Sequence, residues 1–515
     1  MRKKVLAALL TVSMVASILA GCGAKETQTE SKQESSATTS KTEVKEDKKE
    51  ETKPVEKPVL TWYILDNAPA DLDRVEEKVN EMLEGKLDAT VDFICPGNLS
   101  EKINMMTTAG EEFDLMFCAR WTNPNYVTLA KKGALVDLTD LVAQYGSAIT
   151  EVVPEAVLDG MLVDGGLYGI PNYQTSVREN QIVMSKELAD KYEFDLDGLK
   201  GSVADGTFKE KMEVILETIK QNEPDLIPLN HQNLGSVLHS CYEVLQQTSS
   251  TSALEIATGE IVPLTECMKA YAEVFCDWYD KGYIREDIAT VTDHSGDVKA
   301  GRYAVHFATD NREGNRVKFG TTFGIEGEVV NASLMEPYSF SNAAQSALTA
   351  ISVTSKHPDL ALQLINLLYE DTEIYNTILW GVEGIHWDYN ADGTIKRTEV
   401  GKEYAIEGWR VAGSTYTTLV EEGNSIDLPN IEREYMNNAQ SSILNGFNFD
   451  NTSVSTELSN VSTVAKEYSH LFNGSCGMAN FDTEWEKYEK ALEAAGYQTL
   501  FDESVKQIEA FLANK

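Results

Sequence analysis

The chain has 515 residues, is 42% hydrophobic, and carries 82 acidic against 44 basic residues, for a formal net charge of -38. Nucleic acid and anionic lipid need clustered Lys and Arg, so neither is an electrostatic partner of so acidic a surface. Once the N-terminal segments are set aside, the length leaves room for two or three folded units of about 100 to 200 residues each.

At the N-terminus, Arg2, Lys3 and Lys4 precede an apolar run over 5–19 and then Leu19-Ala20-Gly21-Cys22. A basic start, a short hydrophobic stretch and small residues before a cleavage point make a secretory signal, too short to be a spanning helix. The cysteine after Ala20-Gly21 resembles the lipobox of bacterial lipoproteins, which implies a signal peptide over 1–21 and a lipid on Cys22. Two acyl chains hold a protein on a membrane, since each buried methylene contributes about 0.8 kcal/mol. Residues 23–58 are mostly Ser, Thr, Gln, Glu and Lys and cannot bury enough apolar surface to offset ordering, so 22–58 is expected to be a lipidated tether. No later segment is long and apolar enough to span.

Folding is expected from residue 59 onward, with strands at 60–65, 89–95 and 114–118 alternating with helices at 70–83, 99–109 and 124–132. Alternation at this pitch predicts a parallel sheet covered by helices, and such sheets bind ligands beyond the carboxyl ends of their strands. Those ends run Trp62 to Asn67, Cys95 to Asn98 and Cys118 to Thr122, with no glycine-rich phosphate fingerprint. The segment 165–174 reads as a strand crossing between lobes. Helices follow at 209–221 and 266–281, returning strands at 303–307 and 322–325, and a second crossing at 347–353. His357-Pro358-Asp359 opens a helix to residue 369, with Asp359 in its favoured first turn. From 431 the pattern is helical, broken at 445–450 and 473–480, and no internal repeat is present.

The chain lacks His-Glu-x-x-His, Gly-x-Ser-x-Gly, a phosphate loop and Cys-x-x-Cys, and its seven histidines are not spaced as metal ligands. No catalytic residue, cofactor or metal is therefore assigned, and the protein is expected not to be an enzyme. A surface glycoside hydrolase stays as an alternative, because paired carboxylates have no fixed spacing, as does a scaffold lipoprotein. Residues 388–399 fit a calcium-loop pattern, but Gly381 and Gly384 interrupt an entering helix and Lys396 and Arg397 oppose a cation. A β-hairpin turning at Asp392-Gly393 is the favoured reading. Cys95, Cys118, Cys241, Cys267, Cys276 and Cys476 are expected to be mostly buried free thiols. The positive signal is aromatic: Trp62, Tyr63, Trp121, Tyr126, Tyr168, Tyr173, Trp380, Trp387 and Trp409 fall at strand ends, crossings or glycine-flanked loops. Flat rings with nearby carboxylates, amides and Arg suit the apolar face and hydroxyl edge of a sugar.

The chain resembles bacterial extracellular solute-binding proteins of the maltose-binding-protein kind, which deliver substrate to ABC importers. Phe113 to Phe117, Gly133 to Leu138 and Tyr168 to Pro171 carry the general likeness. Leu368 to Asp371, Gly381 to Trp387, Gly446 to Asp450 and Ala494 to Tyr497 with Glu503 to Gln507 point to a lipoprotein branch whose C-terminal domain lacks a settled function. The resemblance implies a two-lobe α/β fold of the periplasmic-binding-protein type II kind, with the first strand between the second and third and with extra C-terminal helices. In that order Cys95 and Cys118 lie about 9.6 Å apart, beyond the roughly 7 Å limit for a bridge. Lobe 1 is expected over 59–168 with about 304–346, lobe 2 over 173–303 with about 352–430, and a helical region over 431–515. It further implies a lipid-anchored receptor on the outer face of the cell membrane, partnered by permease subunits, monomeric, and closing on a carbohydrate by hinge bending. Trp62, Asp66, Trp121, Tyr173, Gln174, Arg178, Asp310, Trp380, Glu383 and Trp409 are the expected cleft residues. Arg178 and Arg312 keep open a ligand bearing a carboxylate, a peptide or an acidic sugar.

Overall fold

Strands β1 (Val59–Tyr63), β2 (Thr90–Ile94) and β3 (Leu115–Cys118) form a parallel sheet with β1 in the middle, as the alternating pattern and the resemblance together imply. These come from a computed structural model that describes residues 57–513 apart from 175, 232–233, 246–250, 292 and 310–314. The signal and Cys22 lie outside the described residues. The local chemistry is direct. Asn98 caps helix Leu99–Ala109 by accepting from the Glu101 amide (3.3 Å), and Gly110 ends it in the left-handed conformation at φ 68°. Asp114 and Thr61 exchange bonds, Thr61 N to Asp114 Oδ2 at 2.9 Å and Asp114 N to Thr61 Oγ1 at 3.1 Å, tying the start of β3 to β1.

Further along the chain come β4 (Ile170–Pro171), β5 (Gln181–Ser185), β6 (Ile227–Leu229), β7 (Tyr242–Val244), β8 (Ser252–Glu255), β9 (Ile261–Pro263), β10 (Tyr303–Ala308), β11 (Val329–Ser333), β12 (Tyr338–Ser339), β13 (Leu348–Ile351), β14 (Trp387–Tyr389), β15 (Ile395–Arg397) and β16 (Gln440–Ser441). The first sheet has the order β2-β1-β3-β13-β4 and the second β11-β5-β10-β6. β13 runs antiparallel to both of its neighbours. The fold is thus two α/β lobes, with helices continuing to the C-terminus.

The expected lobe boundaries need correction. The expectation places about 304–346 in lobe 1, yet β10 and β11 pair with β5 in the second sheet, Phe307 and Ala332 both opposite Ile182. It places about 352–430 in lobe 2, yet helices Pro358–Glu370 and Thr372–Trp380 bury Leu362, Ile365, Ile374 and Ile378 in one core with Leu60 and Phe117. The physical reason is that β10 is buried along its whole length, so its apolar run suits a central place in either sheet. The strand expected at 322–325 is also displaced. That stretch ends helix Asn315–Phe323, Gly324 turns at φ 65°, and the strand forms at β11.

Helices Ser455–Glu467, Met478–Ala494 and Tyr497–Ala513 build a further core around Phe481, Trp485, Leu500 and Ile508. This core is shared with Ala272 and Cys276 on helix Leu264–Asp280. All six described cysteines are free, four of them buried. Over 388–399 the hairpin forms: β14 and β15 pair, Gly393 turns at φ 88°, and Asp392 accepts from the Thr394 amide and hydroxyl. Among the described residues no helix is long and apolar enough to cross a membrane.

His306, fully buried on β10, stacks on Phe323 with ring centroids 4.3 Å apart and receives Asn230 Nδ2 at Nδ1 (3.1 Å). Burial pushes its pKa down to about 4, and burial does the same to His231 and His239. In the unfolded chain these rings take a proton near pH 6.5; in the folded chain they stay neutral until about pH 4. Their contribution to stability is therefore complete above about pH 6.5 and is lost as pH falls towards 4, by up to about 3 kcal/mol for His306. Urea unfolding across that window should show the slope, and His306→Gln should make it shallower, with His231 and His239 supplying the remainder.

Candidate functional site

Beyond β1 the chain turns through Asp66, held at φ 82°, and its carbonyl accepts from the Gly97 amide (3.0 Å), lacing the loops after β1 and β2 together. Beyond β3 come Ala119, Arg120 and Trp121. Thr122 folds its hydroxyl back onto the Ala119 carbonyl (2.8 Å), and the Trp121 indole donates to the Ser346 carbonyl (2.6 Å). Trp121 is 55% exposed, although large aromatic side chains are usually mostly covered. Its ring lies 6.3 Å from Trp409, and both lie against Phe117 at 5.9 and 5.7 Å.

Trp409 sits in the short turn Gly408–Arg410. Its indole donates to Glu407 (2.8 Å), and the Arg410 guanidinium lies 5.0 Å over its ring. Arg410 also pairs with Asp66 at 2.7 Å and with Glu407 at 3.0 Å, while its Nε is buried with no hydrogen-bond partner. Two indoles, a guanidinium and two carboxylates therefore meet at the strand ends, with one buried donor unused. Cys95 lies close by, and its thiol is pushed up to about 11 mainly by burial.

A cavity of about 590 Å³ shares Trp121 with this cluster. Arg120, Asn125 and Lys131 line it from the first lobe, and Asp450 and Asn451 from the C-terminal region.

Of the ten expected residues, Asp66, Trp121 and Trp409 come together through Arg410. Tyr173 and Gln174 lie on the first crossing and line a small recess with Ala343 and Met436. Tyr173 is buried, edge-on to Tyr416 at 5.2 Å. Arg178 pairs its backbone with Tyr338 on the return crossing (2.9 Å) and presents an exposed side chain. Trp380 packs under Arg397, 4.8 Å from ring to guanidinium, and donates to Thr418 (2.9 Å). Glu383 is exposed in the loop entering the β14–β15 hairpin. Asp310 and Arg312 lie outside the described residues. Trp62 is corrected outright: it is 0% exposed, tilted against Phe93 at 5.9 Å within the first core, and has no face to offer a ligand. Sequence reasoning missed Arg410 and Glu407, whose only local signal was their position beside Trp409.

The C-terminal residues 443–513 match a family model described as a domain of unknown function (DUF3502). A carbohydrate ABC transporter substrate-binding protein of Streptococcus pneumoniae serotype 4 is 25% identical over 475 residues, covering 89% of this chain and 91% of that protein. The solved N-glycan transport solute-binding protein NgtS of Streptococcus pneumoniae superposes with a TM-score of 0.77 at 21% identity, covering 89% of this chain and 100% of that one. The chain has the solute-binding-protein fold. Against NgtS in complex with Man1GlcNAc the TM-score is 0.71, at 21% identity over 89% and 100% of the two chains. Against its complex with Man5GlcNAc it is 0.66, at 21% identity over 89% and 99%. In this solute-binding fold the aromatic cluster stands at the strand ends of the first lobe, beside the segments that cross to the second.

Trp62→Ala should act on folding rather than binding. Emptying so large a buried volume is expected to remove about 3–5 kcal/mol, read as a lower urea midpoint.

Proposed function

We propose that this protein is the substrate receptor of an ABC importer, capturing a carbohydrate, most simply an oligosaccharide, between its lobes and handing it on unchanged. The observation that carries the reading is the exposed Trp121 indole beside Trp409, Arg410 and Asp66 at the carboxyl ends of a parallel sheet, where ligands of such folds bind. Trp121 and Trp409 stack on sugar faces, and Asp66 and Arg410 take hydroxyls. Tyr173, Gln174 and Arg178 approach from the crossings as the lobes close. The carbohydrate-transport relative and the glycan-bound forms of NgtS support this cargo class.

The protein acts by binding and not by hydrolysis. Asp66 and Glu407, the carboxylates of the cluster, are both engaged by Arg410, an arrangement unsuited to an acid and base flanking a glycosidic bond. Cys22 carries the lipid that holds the chain to the outer face of the membrane, 22–58 serves as its tether, and the receptor meets its permease as a monomer.

A thermal-shift screen of the chain against mono- and oligosaccharides, uronates and short peptides tests the reading. A carbohydrate at about a hundred times its Kd adds roughly 2.7 kcal/mol of stability, and the sugar should be recovered intact. Trp121→Ala should weaken that binding by about 1–3 kcal/mol while leaving the unliganded melting temperature nearly unchanged. Stabilisation by peptides alone would overturn the carbohydrate assignment.

A further inference from the structure

The cavity beside Trp121 has one wall from outside the two lobes. Phe449, Asp450, Asn451 and Thr452 belong to the C-terminal region and face Asn125, Thr128 and Lys131 of the first lobe across about 590 Å³. That volume falls within the roughly 300–1,000 Å³ of small-molecule sites.

The wall is firmly held. The Arg120 guanidinium donates to Gln345 Oε1 (2.9 Å) and to Asn448 Oδ1, joining the end of β3, the return crossing and the C-terminal region. Asn448 Nδ2 reaches the Leu162 carbonyl (3.4 Å), and Asn445 Nδ2 the Ala156 carbonyl (3.4 Å). Asp450 accepts from the Thr452 amide (2.9 Å) and hydroxyl (2.6 Å), and its own amide donates to Gln507 (2.8 Å). These bonds fix the backbone of the wall and leave the Asn451 side chain exposed in the cavity lining.

The chemistry of the lining is mixed. Lys131 and Lys132 are set against Asp450, amides and hydroxyls lie between them, and Val127, Phe449 and Leu458 supply apolar edges. A lining with both charges and many neutral hydrogen-bonding groups suits a polyhydroxylated neutral molecule better than a phosphate or a metal ion.

We propose that the C-terminal region forms a third wall of the carbohydrate site, a subsite for sugar units beyond the one stacked on Trp121, and so sets a preference for longer oligosaccharides. The inference rests on the carbohydrate-receptor reading. Units at Trp121 touch only the lobes. Those that follow enter the cavity and bond to Asn125, Lys131, Asp450 and Asn451.

Titration calorimetry of the full chain with short and long members of one series tests it, using Man1GlcNAc against Man5GlcNAc and the shortest against longer malto- and fructo-oligosaccharides. Asn451→Ala should weaken the long member about 3- to 10-fold, the effect of one lost hydrogen bond, and leave the short member unchanged. Asn451→Trp, which sets a bulky ring in the cavity lining, should weaken the long member further still. Trp121→Ala should weaken both. Unchanged melting temperatures for the Asn451 variants establish that they fold. Equal affinities for long members in wild type and in Asn451→Trp, with Trp121→Ala still impaired, would overturn the third wall alone. Failure of every carbohydrate to bind the wild-type chain would overturn the receptor reading and this inference with it.

Discussion

Asn172 is the knot on which the arrangement of the site depends. Its Nδ2 donates to the Trp409 carbonyl (2.9 Å), its Oδ1 accepts from the Thr349 hydroxyl (2.9 Å), and its backbone amide donates to the Ala347 carbonyl (3.0 Å). The residue is buried, and a buried amide deprived of its partners loses more than a hydrogen bond ordinarily contributes. One side chain thus fixes three distant stretches: the outgoing crossing, the returning strand β13 and the turn bearing Trp409. The next residues extend the knot. Tyr173 exchanges backbone bonds with Gly413 and Thr415 at 2.9 Å each, and the Tyr369 phenol donates to the Pro171 carbonyl. The Trp409 ring is placed by this lattice before any ligand arrives, the kind of preorganisation that reduces the ordering a binding event must impose.

Buried acids elsewhere follow the same rule. Asp114 is held by Thr61, and Glu243 accepts from the Tyr338 hydroxyl (3.1 Å) and the Ser341 amide (2.6 Å). The remaining surplus of negative charge is distributed over a surface where Lys and Arg pair with near neighbours, as Lys186 does with Asp190, and with distant acids, as Lys86 does with Asp371. Exposed pairs of this kind contribute little to stability. The acidity therefore governs solubility and repulsion between molecules more than it governs the fold.

The parts of this structure legible in the sequence are those written locally. Helix Leu99–Ala109 carries both of its end signals, Asn98 and Gly110, and the β14–β15 turn carries Asp392-Gly393, so neither needs tertiary information. Pairing does need it. The fully buried, mostly apolar β10 suits either sheet, and only the fold decides that it joins β5. The tryptophans divide on a distance of a few residues: Trp62 lies inside β1 and is swallowed by the core, whereas Trp121 lies past the end of β3 and stays open. Arg410 was beyond local reading because Asp66, its partner at 2.7 Å, stands at the other end of the lobe-forming sequence.

The C-terminal helices share a core with helix Leu264–Asp280, yet the loop that introduces them is bonded to Arg120, Ala156 and Leu162 in the first lobe. The region consequently ties the two lobes together from outside both of them. Cutting it away would uncover Cys276 in one lobe and strip Arg120 of a partner in the other.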